Sequence, residues 1–421
     1  MRRAAFCTLG CKVNQYDTQS MIELMEKSGF ETVSFDSVAD VYIINTCTVT
    51  NVADRKSRKM IARAHSLNPD AVICVCGCLS QSAPEEVLDI EGVTCVAGTG
   101  DRSRIADIIM SAANGKSDHV TEISKEYEDI GISKSGIRTR ANIKVQEGCG
   151  NYCSYCIIPY VRGPERSRPA SSVIREAERL AGNGVKEIVL GGIHVSSYKD
   201  AGECDLADLV SMLSGIDGIE RIRLGSLEQP ALSERFIEKL ASSKKLCPHF
   251  HISLQSGSDN ILRLMNRKYS SAQYSDTVRL LRQYFDDPAI TTDVIVGFPG
   301  ETDDDFNLSV DYAKEIGFSR MHVFPFSLRK GTKAETMTGR VPAEIKKLRT
   351  ASLIKVGKKL ETAYIDRWIG READVLFEQF EEDGNASGYT ERYIKVKGSG
   401  MPGEIKKVLL EERAGDIILT V

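Results

Sequence analysis

Short β-like runs alternate with amphipathic helix-like runs from Arg3 to about Leu328, and no other feature restricts the fold of this chain as tightly. Two parallel strands can be joined only by a long crossover, usually a helix, so the alternation predicts parallel sheets covered by helices. In the first part the candidate strands are Ala4–Thr8, Asp40–Asn45, Ala71–Val75 and Val93–Ala97. Helical periodicity fits Gln15–Lys27, Val52–His65 and Arg102–Ala112. A polar stretch, Ala113 to Ser135, reads as a linker. The alternation then resumes with strand candidates Asn142–Gln146, Glu187–Leu190, Arg221–Leu224, His249–Leu254, Thr291–Val296 and Arg320–Phe324. Six such units predict a partial or complete βα barrel, with its functional groups at the C-terminal ends of the strands. A basic helix from Pro342 to about Trp368 follows. The tail is strand-rich and broken by Gly, which suits a small β-barrel of OB-like size. The expected fold class is α/β, with an open parallel domain at 1–115, a linker at 116–137, the barrel domain at 138–368 and the small β-barrel at 369–421.

Hydrophobic residues make up 42% of the 421 residues and charged residues 27%, which excludes disorder as the main state. The net charge is -4, so any contact with a polyanion has to come from local patches. No run of 18 apolar residues is present, and the first residues lack the apolar core of a signal peptide, so no membrane partner and a cytoplasmic location are expected. Twelve Cys in such a chain are poor candidates for disulfides. All lie at or before position 247, a crowding that suggests metal ligands mixed with core thiols.

Cys149-Gly150-Asn151-Tyr152-Cys153-Ser154-Tyr155-Cys156 places three Cys at Cys-x3-Cys-x2-Cys spacing with no fourth nearby. Thiolates are the usual ligands of iron–sulfur clusters, and three of them on a four-iron cube leave one iron open. Structural zinc wants four ligands, and the nearest His residues are His119 and His194. Zinc and three ordinary loop cysteines are the competing readings. Cys11, Cys47 and Cys78 each follow a predicted strand, and loops after parallel strands converge on the crevice at their carboxyl ends. A second three-thiolate site is one reading of this; buried core thiols are the other.

The Cys149 motif opening a βα barrel resembles the radical S-adenosylmethionine (SAM) enzymes. There, SAM chelates the open iron and is cleaved to a 5′-deoxyadenosyl radical. Thr8-Leu9-Gly10-Cys11-Lys12-Val13-Asn14-Gln15-Tyr16-Asp17, Ile44-Asn45-Thr46-Cys47-Thr48-Val49-Thr50 and Val75-Cys76-Gly77-Cys78-Leu79-Ser80-Gln81 resemble the N-terminal domain of the methylthiotransferases. Cys153-Ser154-Tyr155-Cys156-Ile157-Ile158-Pro159-Tyr160-Val161-Arg162-Gly163 resembles their radical SAM signature, and the tail resembles the RNA-binding TRAM barrel. The resemblance spans essentially the whole chain. It implies two [4Fe–4S] clusters, one on Cys149, Cys153 and Cys156 for SAM, the other on Cys11, Cys47 and Cys78 for sulfur delivery. Cys78 is preferred to Cys76 by its Gly-Cys-x-x-Gln setting.

The segment Cys11 to Asp17 is most similar to the threonylcarbamoyladenosine branch, as are Pro248 to Gly257 and His322 to Ser327. Gly191, Leu79 and Lys330 depart from the residues common there. The resemblance implies an enzyme that inserts sulfur at carbon 2 of N6-threonylcarbamoyladenosine at position 37 of ANN-decoding tRNAs and methylates it. Its partners would be the tRNA anticodon loop, SAM, a sulfur source and an electron donor such as flavodoxin or ferredoxin. Alternatives are methylthiolation of isopentenyladenosine or of a ribosomal protein and, in another class, a non-catalytic iron–sulfur RNA-binding regulator.

Gly191 and Gly192 after a strand, Gln255 and Ser256 at a strand end, and Asp293 before a turn are the expected SAM contacts; tight turns, capping and barrel hydrogen bonds are the ordinary readings. Cys7, Cys74 and Cys95 sit in apolar strand patterns and read as core thiols. For RNA, Arg138, Arg140, Lys144, Arg162, Arg166 and Arg168 bracket the cluster loop and offer charge to phosphates. From Arg371 to Val421 eleven Asp/Glu face seven Lys/Arg. An RNA face of the tail would therefore need Tyr389, Arg392, Tyr393, Lys395 and Lys397, with the aromatics stacking on bases or packing the barrel.

Overall fold

The computed structural model describes residues 2–112, 115–133, 139–200, 202 and 204–420. Arg138 lies outside the described residues. The chain forms two compact units, one of Met1–Ser133, Gln146–Arg168 and Ser327–Glu335, the other of Lys134–Val145, Pro169–Phe326 and Thr336–Val421.

The first unit is built on a six-stranded sheet in the order β2-β1-β3-β4-β5-β6. Its strands are β1 (Arg2–Thr8), β2 (Phe30–Val33), β3 (Val41–Thr46), β4 (Val72–Gly77), β5 (Cys95–Ala97) and β6 (Ser117–His119). Every pairing in it is parallel among the described residues. β3 is buried along its whole length, as a central parallel strand must be when both faces are covered. Val41 and Ile43 meet Met21 and Met25 of α1 (Lys12–Lys27) on one face. Tyr42 and Ile44 meet Ile61 and Ala64 of α2 (Asn51–Leu67) on the other. β2 and β6 escape sequence reasoning because they are short edge strands; β6 is three polar residues inside the expected linker.

That expected linker is tied to the first unit by polar side chains. Thr121 donates to Asp101, Arg102 to Glu128, Arg168 to Asp129, and the Ser133 N–H to Glu23. Its polar composition comes from the partners it supplies to buried cations.

In the second unit, strands 187–192 and 221–224 pair in parallel, as do 249–251, 289–296 and 320–325. Helices 170–182, 206–214, 234–241, 271–284 and 303–316 alternate with the strands and bury apolar stripes in one large core. Side chains at the helix starts accept the free N–H groups: Ser270 and Gln273 form one reciprocal cap and Thr302 and Asp305 another. After the 24-residue helix Ala343–Asp366, six tail strands form a sheet around Val375, Phe377, Val396 and Ile418. No helix among the described residues is long and apolar enough to cross a membrane.

Candidate functional site

In the first unit β1, β3 and β4 are neighbours, and a candidate thiol ends each of them. Cys11 is the residue before α1, Cys47 follows Thr46 at the end of β3, and Cys78 opens the short helix α3 (Cys78–Ser82) after β4. The chain leaves β1 toward β2 on one side, while β3 lies on the other. Cys11 and Cys47 therefore flank the crevice where strand order reverses, the usual ligand position of such sheets.

Two glycines make the close approach possible. Gly77 has φ +94°, which ends the strand alternation and separates Cys78 from Cys74 and Cys76, both buried in the core. A Cβ there would lie 2.5 Å from Asn45 Oδ1 and 2.7 Å from the Thr46 carbonyl. At Gly10, φ +105°, a Cβ would lie 2.7 Å from Cys47 Cβ. Cys47 and Cys78 are buried and Cys11 is exposed. Burial pushes the Cys47 thiol up to about 11; the nearby Cys78 and Cys11 add to this, while the Val49 N–H and Arg162 oppose it. Burial likewise raises Cys78, against the opposing pull of Arg162. Three thiols close enough to disturb one another, with a cation at hand to favour thiolate, fit a cluster with three protein ligands. The core thiols differ: Cys74, opposite Cys95 on the neighbouring strand, is held well above its usual range by that neighbour and by burial, and Cys76 is raised to about 12 by burial.

The second triad lies on a loop of the same unit. The Cys149 N–H donates to the Gly163 carbonyl at 3.0 Å and the Cys156 N–H to the Cys153 carbonyl at 2.9 Å. The latter turn brings two of the three Cys positions together. Tyr152, with φ 46°, holds a left-handed conformation between Cys149 and Cys153. Cys153 is buried, and Cys149 and Cys156 are half-buried.

A buried ion cluster joins the two loops. Arg162, six residues after Cys156, donates Nε to Cys78 Sγ at 3.4 Å and Nη2 to Asn14 Oδ1 at 2.7 Å. Its Nη1 lies 3.1 Å from Asp17 and 2.5 Å from Glu147. Arg102 binds the same two carboxylates at 2.8–3.0 Å. Burial works against both guanidinium charges, yet the carboxylates (and Cys78 for Arg162) hold both well above their usual range. Asn14 also donates to the carbonyls of Leu9 and Thr46, fastening the ends of β1 and β3 together. Arg329 binds Thr48, Asn51 and Asp54 beyond Cys47, and the Ala334 N–H donates to the Ser154 carbonyl. The segment 327–335 therefore touches both triad loops. Sequence reasoning missed Asn14, Asp17, Arg102, Glu147 and Arg329; the only signal was that Asn14 and Asp17 fall on α1 three and six residues after Cys11.

These contacts overturn several expected RNA contacts. Arg162, Arg166 and Arg168 are buried and committed to carboxylates, carbonyls and the Tyr16 hydroxyl. Lys144 is buried, and Arg140 is bound by Glu378 and lies 3.6 Å from Glu187. The tail's aromatic set is likewise in use within the second unit. Tyr389 and Tyr393 stack at 4.8 Å; the Arg140 guanidinium lies over both rings, and Arg223 lies 4.6 Å from the Tyr393 ring centre. Arg221 and Arg223 donate to the tail carbonyls of Asp374 and Glu391. Arg392 covers the Trp368 ring and donates to the Asp286 carbonyl. Tyr389 and Tyr393 therefore fasten the tail to the barrel strands and Arg392 fastens it to the loop at Asp286 and Asp287, so the three are not a free stacking surface. Lys395 is half-exposed, and Lys397 pairs with Asp383.

Of the expected SAM contacts, Gly191 and Gly192 end strand 187–192, and a Cβ at Gly191 would meet only the Ile143 carbonyl at 3.9 Å. That leaves room for a ligand. Gln255, φ +69°, pairs through its backbone with Asp293 and Ile295. A non-Gly residue held there is the kind of strain that collects at ligand sites. Asp293 is partly exposed and lies 3.4 Å from His251, which contacts Thr291 in turn. Burial lowers His322 on the next strand, against the pull of Asp293. Ser256 differs from the expectation: its hydroxyl is fully buried, meets Ser309 and accepts from the Ser258 N–H, which is a capping role.

The sequence profile of the radical SAM superfamily matches residues 143–313, and that of the uncharacterized protein family UPF0004 matches 3–98. The threonylcarbamoyladenosine tRNA methylthiotransferase MtaB of Bacillus subtilis (strain 168) is 41% identical across 97% of this chain and 93% of its own. Its namesake from Thermotoga maritima is 38% identical across 94% and 91%. The chain belongs to the radical SAM tRNA methylthiotransferases. A relative named for a different adenosine, the tRNA-2-methylthio-N(6)-dimethylallyladenosine synthase of Pelotomaculum thermopropionicum, is 36% identical across 97% and 94%. Among solved structures, the radical SAM methyltransferase TsrM from Kitasatospora setae shares the fold with a TM-score of 0.58 at 15% identity, over 77% of this chain and 73% of that one. The cobalamin-dependent radical enzyme OxsB gives 0.55 at 12% identity, over 84% and 56%.

Proposed function

We propose that this methylthiotransferase acts in the cytoplasm on N6-threonylcarbamoyladenosine at position 37 of tRNA, making its 2-methylthio derivative. The convergence of Cys11, Cys47 and Cys78 on adjoining strand ends, beside a loop carrying Cys149, Cys153 and Cys156, carries the two-cluster part of this reading. The Cys11–Asp17 segment and the relatives of highest identity support the threonylcarbamoyl branch. The isopentenyl substrate is the second reading, favoured by the 36% identical relative.

In this reading the enzyme binds two [4Fe–4S] clusters and SAM. Together they supply reductive cleavage of the sulfonium, methyl transfer and sulfur. The protein's part is to hold and shield them. Cys149, Cys153 and Cys156 are the ligands that leave an iron open for SAM; Gly191, Gly192, Gln255 and Asp293 accommodate SAM's polar groups. Cys11, Cys47 and Cys78 hold the auxiliary cluster, and Arg162 stabilises the Cys78 thiolate. Burial raises the Cys47 and Cys78 thiols and a cluster binds them as thiolates, so loading that site would release protons. An electron donor such as flavodoxin or ferredoxin and a separate sulfur source complete the cycle.

Anaerobic reconstitution should give about eight irons, and Ala at Cys11, Cys47 and Cys78 together about four. Cys47→Ala should still form 5′-deoxyadenosine with dithionite but no methylthiolated nucleoside, whereas Cys153→Ala should form neither. Mass spectrometry of nucleosides from tRNA of a deletion strain decides the branch. Loss of 2-methylthio-threonylcarbamoyladenosine supports the first reading; loss of the 2-methylthio-isopentenyl nucleoside supports the second.

A further inference from the structure

Most of the cations expected to meet RNA are buried or fastened to neighbours, yet the substrate of the proposed reaction is a polyanion. The exposed cations of the first unit concentrate on α2. Its buried stripe is Ser57, Ile61 and Ala64. With 3.6 residues per turn, Arg55 and Lys59 point directly away from that stripe, and Lys56 and Arg58 flank them. All four are exposed, and no carboxylate among the described residues pairs with them. The helix's single acid, Asp54, is held by Arg329 at 2.6 Å, and Arg63 is paired with Asp36. The stripe is therefore an uncompensated block of four positive charges on a chain whose net charge is -4.

Its position gives the block a use. Thr50 caps α2, accepting from the Ala53 N–H, and lies three residues beyond Cys47. Between them Thr48 is buried and Val49 exposed, and Val52 on the first turn is exposed as well. A strand laid along α2 would have its phosphates on Arg55, Lys56, Arg58 and Lys59, and its bases near the loop that carries Cys47.

We propose that the Arg55–Lys59 stripe of α2 is a docking surface for the phosphate backbone of the substrate tRNA beside its target base. This rests on the tRNA reading above. Each phosphate contact contributes roughly 0.7–0.9 to the slope of log affinity against log salt. Replacing Arg55, Lys56, Arg58 and Lys59 by Ala should therefore make the slope shallower by about 3, and weaken binding at 0.1 M salt on the order of 1,000-fold. The assay is fluorescence anisotropy of a labelled tRNA transcript on the reconstituted full chain across a salt series. Iron content and thermal unfolding should match the unsubstituted protein, since all four side chains are exposed. A control carrying Ala at Arg175, Arg263, Arg279 and Lys314, exposed cations scattered over second-unit helices, should keep the slope. An unchanged slope and affinity in the α2 variant overturns the proposal. So does unchanged tRNA binding with slower reduction by an acidic electron-transfer protein, which would make α2 that protein's dock. Failure of the unsubstituted protein to bind tRNA is distinguishable, because it overturns the substrate reading itself.

Discussion

Glu147 has no exposed surface and receives two bonds from Arg102, at 3.0 and 2.9 Å, and one from Arg162 at 2.5 Å, with Arg166 at 3.7 Å. At its centre two buried carboxylates, Asp17 and Glu147, balance two buried guanidiniums, Arg102 and Arg162. Glu147→Gln keeps the shape and one acceptor oxygen but strips Arg162 of its shortest carboxylate contact and leaves it on Asp17, while Arg102 keeps Asp17 and Glu128. Removing one partner of a buried ion pair costs about 3–5 kcal/mol. At a urea slope of about 2 kcal/mol/M, the far-UV dichroism transition of the cluster-free protein should move down by about 1.5–2.5 M. Adding Arg162→Gln removes the cation that lost its carboxylate, so the double variant should lose less than the sum of the singles by about 1–3 kcal/mol. A Glu147→Gln loss below about 1 kcal/mol, the size of an exposed pair, together with additive effects in the double variant, would refute the claim that these ions share a water-free site.

Gly77→Ala places a Cβ against Asn45 and the Thr46 carbonyl in a left-handed conformation, so it should cost about 1–3 kcal/mol and lower reconstituted iron toward about four. Retention of eight irons would show that Cys78 is not positioned by that turn. Tyr393→Ala removes the ring between Tyr389, Arg140 and Arg223; it should lower the unfolding midpoint read by the single Trp, Trp368, while leaving the salt slope of tRNA binding unchanged. Burial pushes the Glu187 carboxyl up, but Arg223, Arg140 and Arg221 outweigh this and hold it below its ordinary value. Its contribution is therefore complete above about pH 4.5 and is lost as the pH falls through the lowered folded value. Between pH 5 and pH 3 the unsubstituted protein should lose more stability than Glu187→Gln, followed through Trp368 fluorescence.

The strand–helix alternation was legible because β1, β3 and β4 are apolar enough to announce themselves, and convergence of the three thiols follows from parallel strand ends. What could not be read was which cations face water. Arg162, Arg166 and Arg168 look like a basic patch in sequence, yet their partners Asp17, Glu147 and Asp129 are spread over more than a hundred positions. The same holds for Tyr389 and Tyr393, whose stacking partner Arg140 is about 250 residues away. Sequence pattern reports periodicity, and periodicity does not encode the pairing of distant charges. The α2 stripe shows the converse: its exposure follows from helical period alone once the buried stripe is known.

Sequence division at residue 138 would put Cys149, Cys153 and Cys156 with the barrel, whereas they group with Cys11, Cys47 and Cys78 in one compact unit. The physical cause is the loop's own charge. Glu147 precedes the first Cys and Arg162 follows the last, and both are drawn into the ion cluster completed by Asp17 and Arg102 from the first third of the chain. Because charges removed from water tolerate little displacement before their pairing fails, this cluster fixes the position of the loop more stiffly than apolar packing of its few side chains would. Among the described residues the apolar contact group there, Cys78 with Ile157 and Val161, is small. Two thiol triads proposed to serve one substrate are thus fixed to a common support, and Arg162 is a side chain that touches both the carboxylates and the Cys78 thiol.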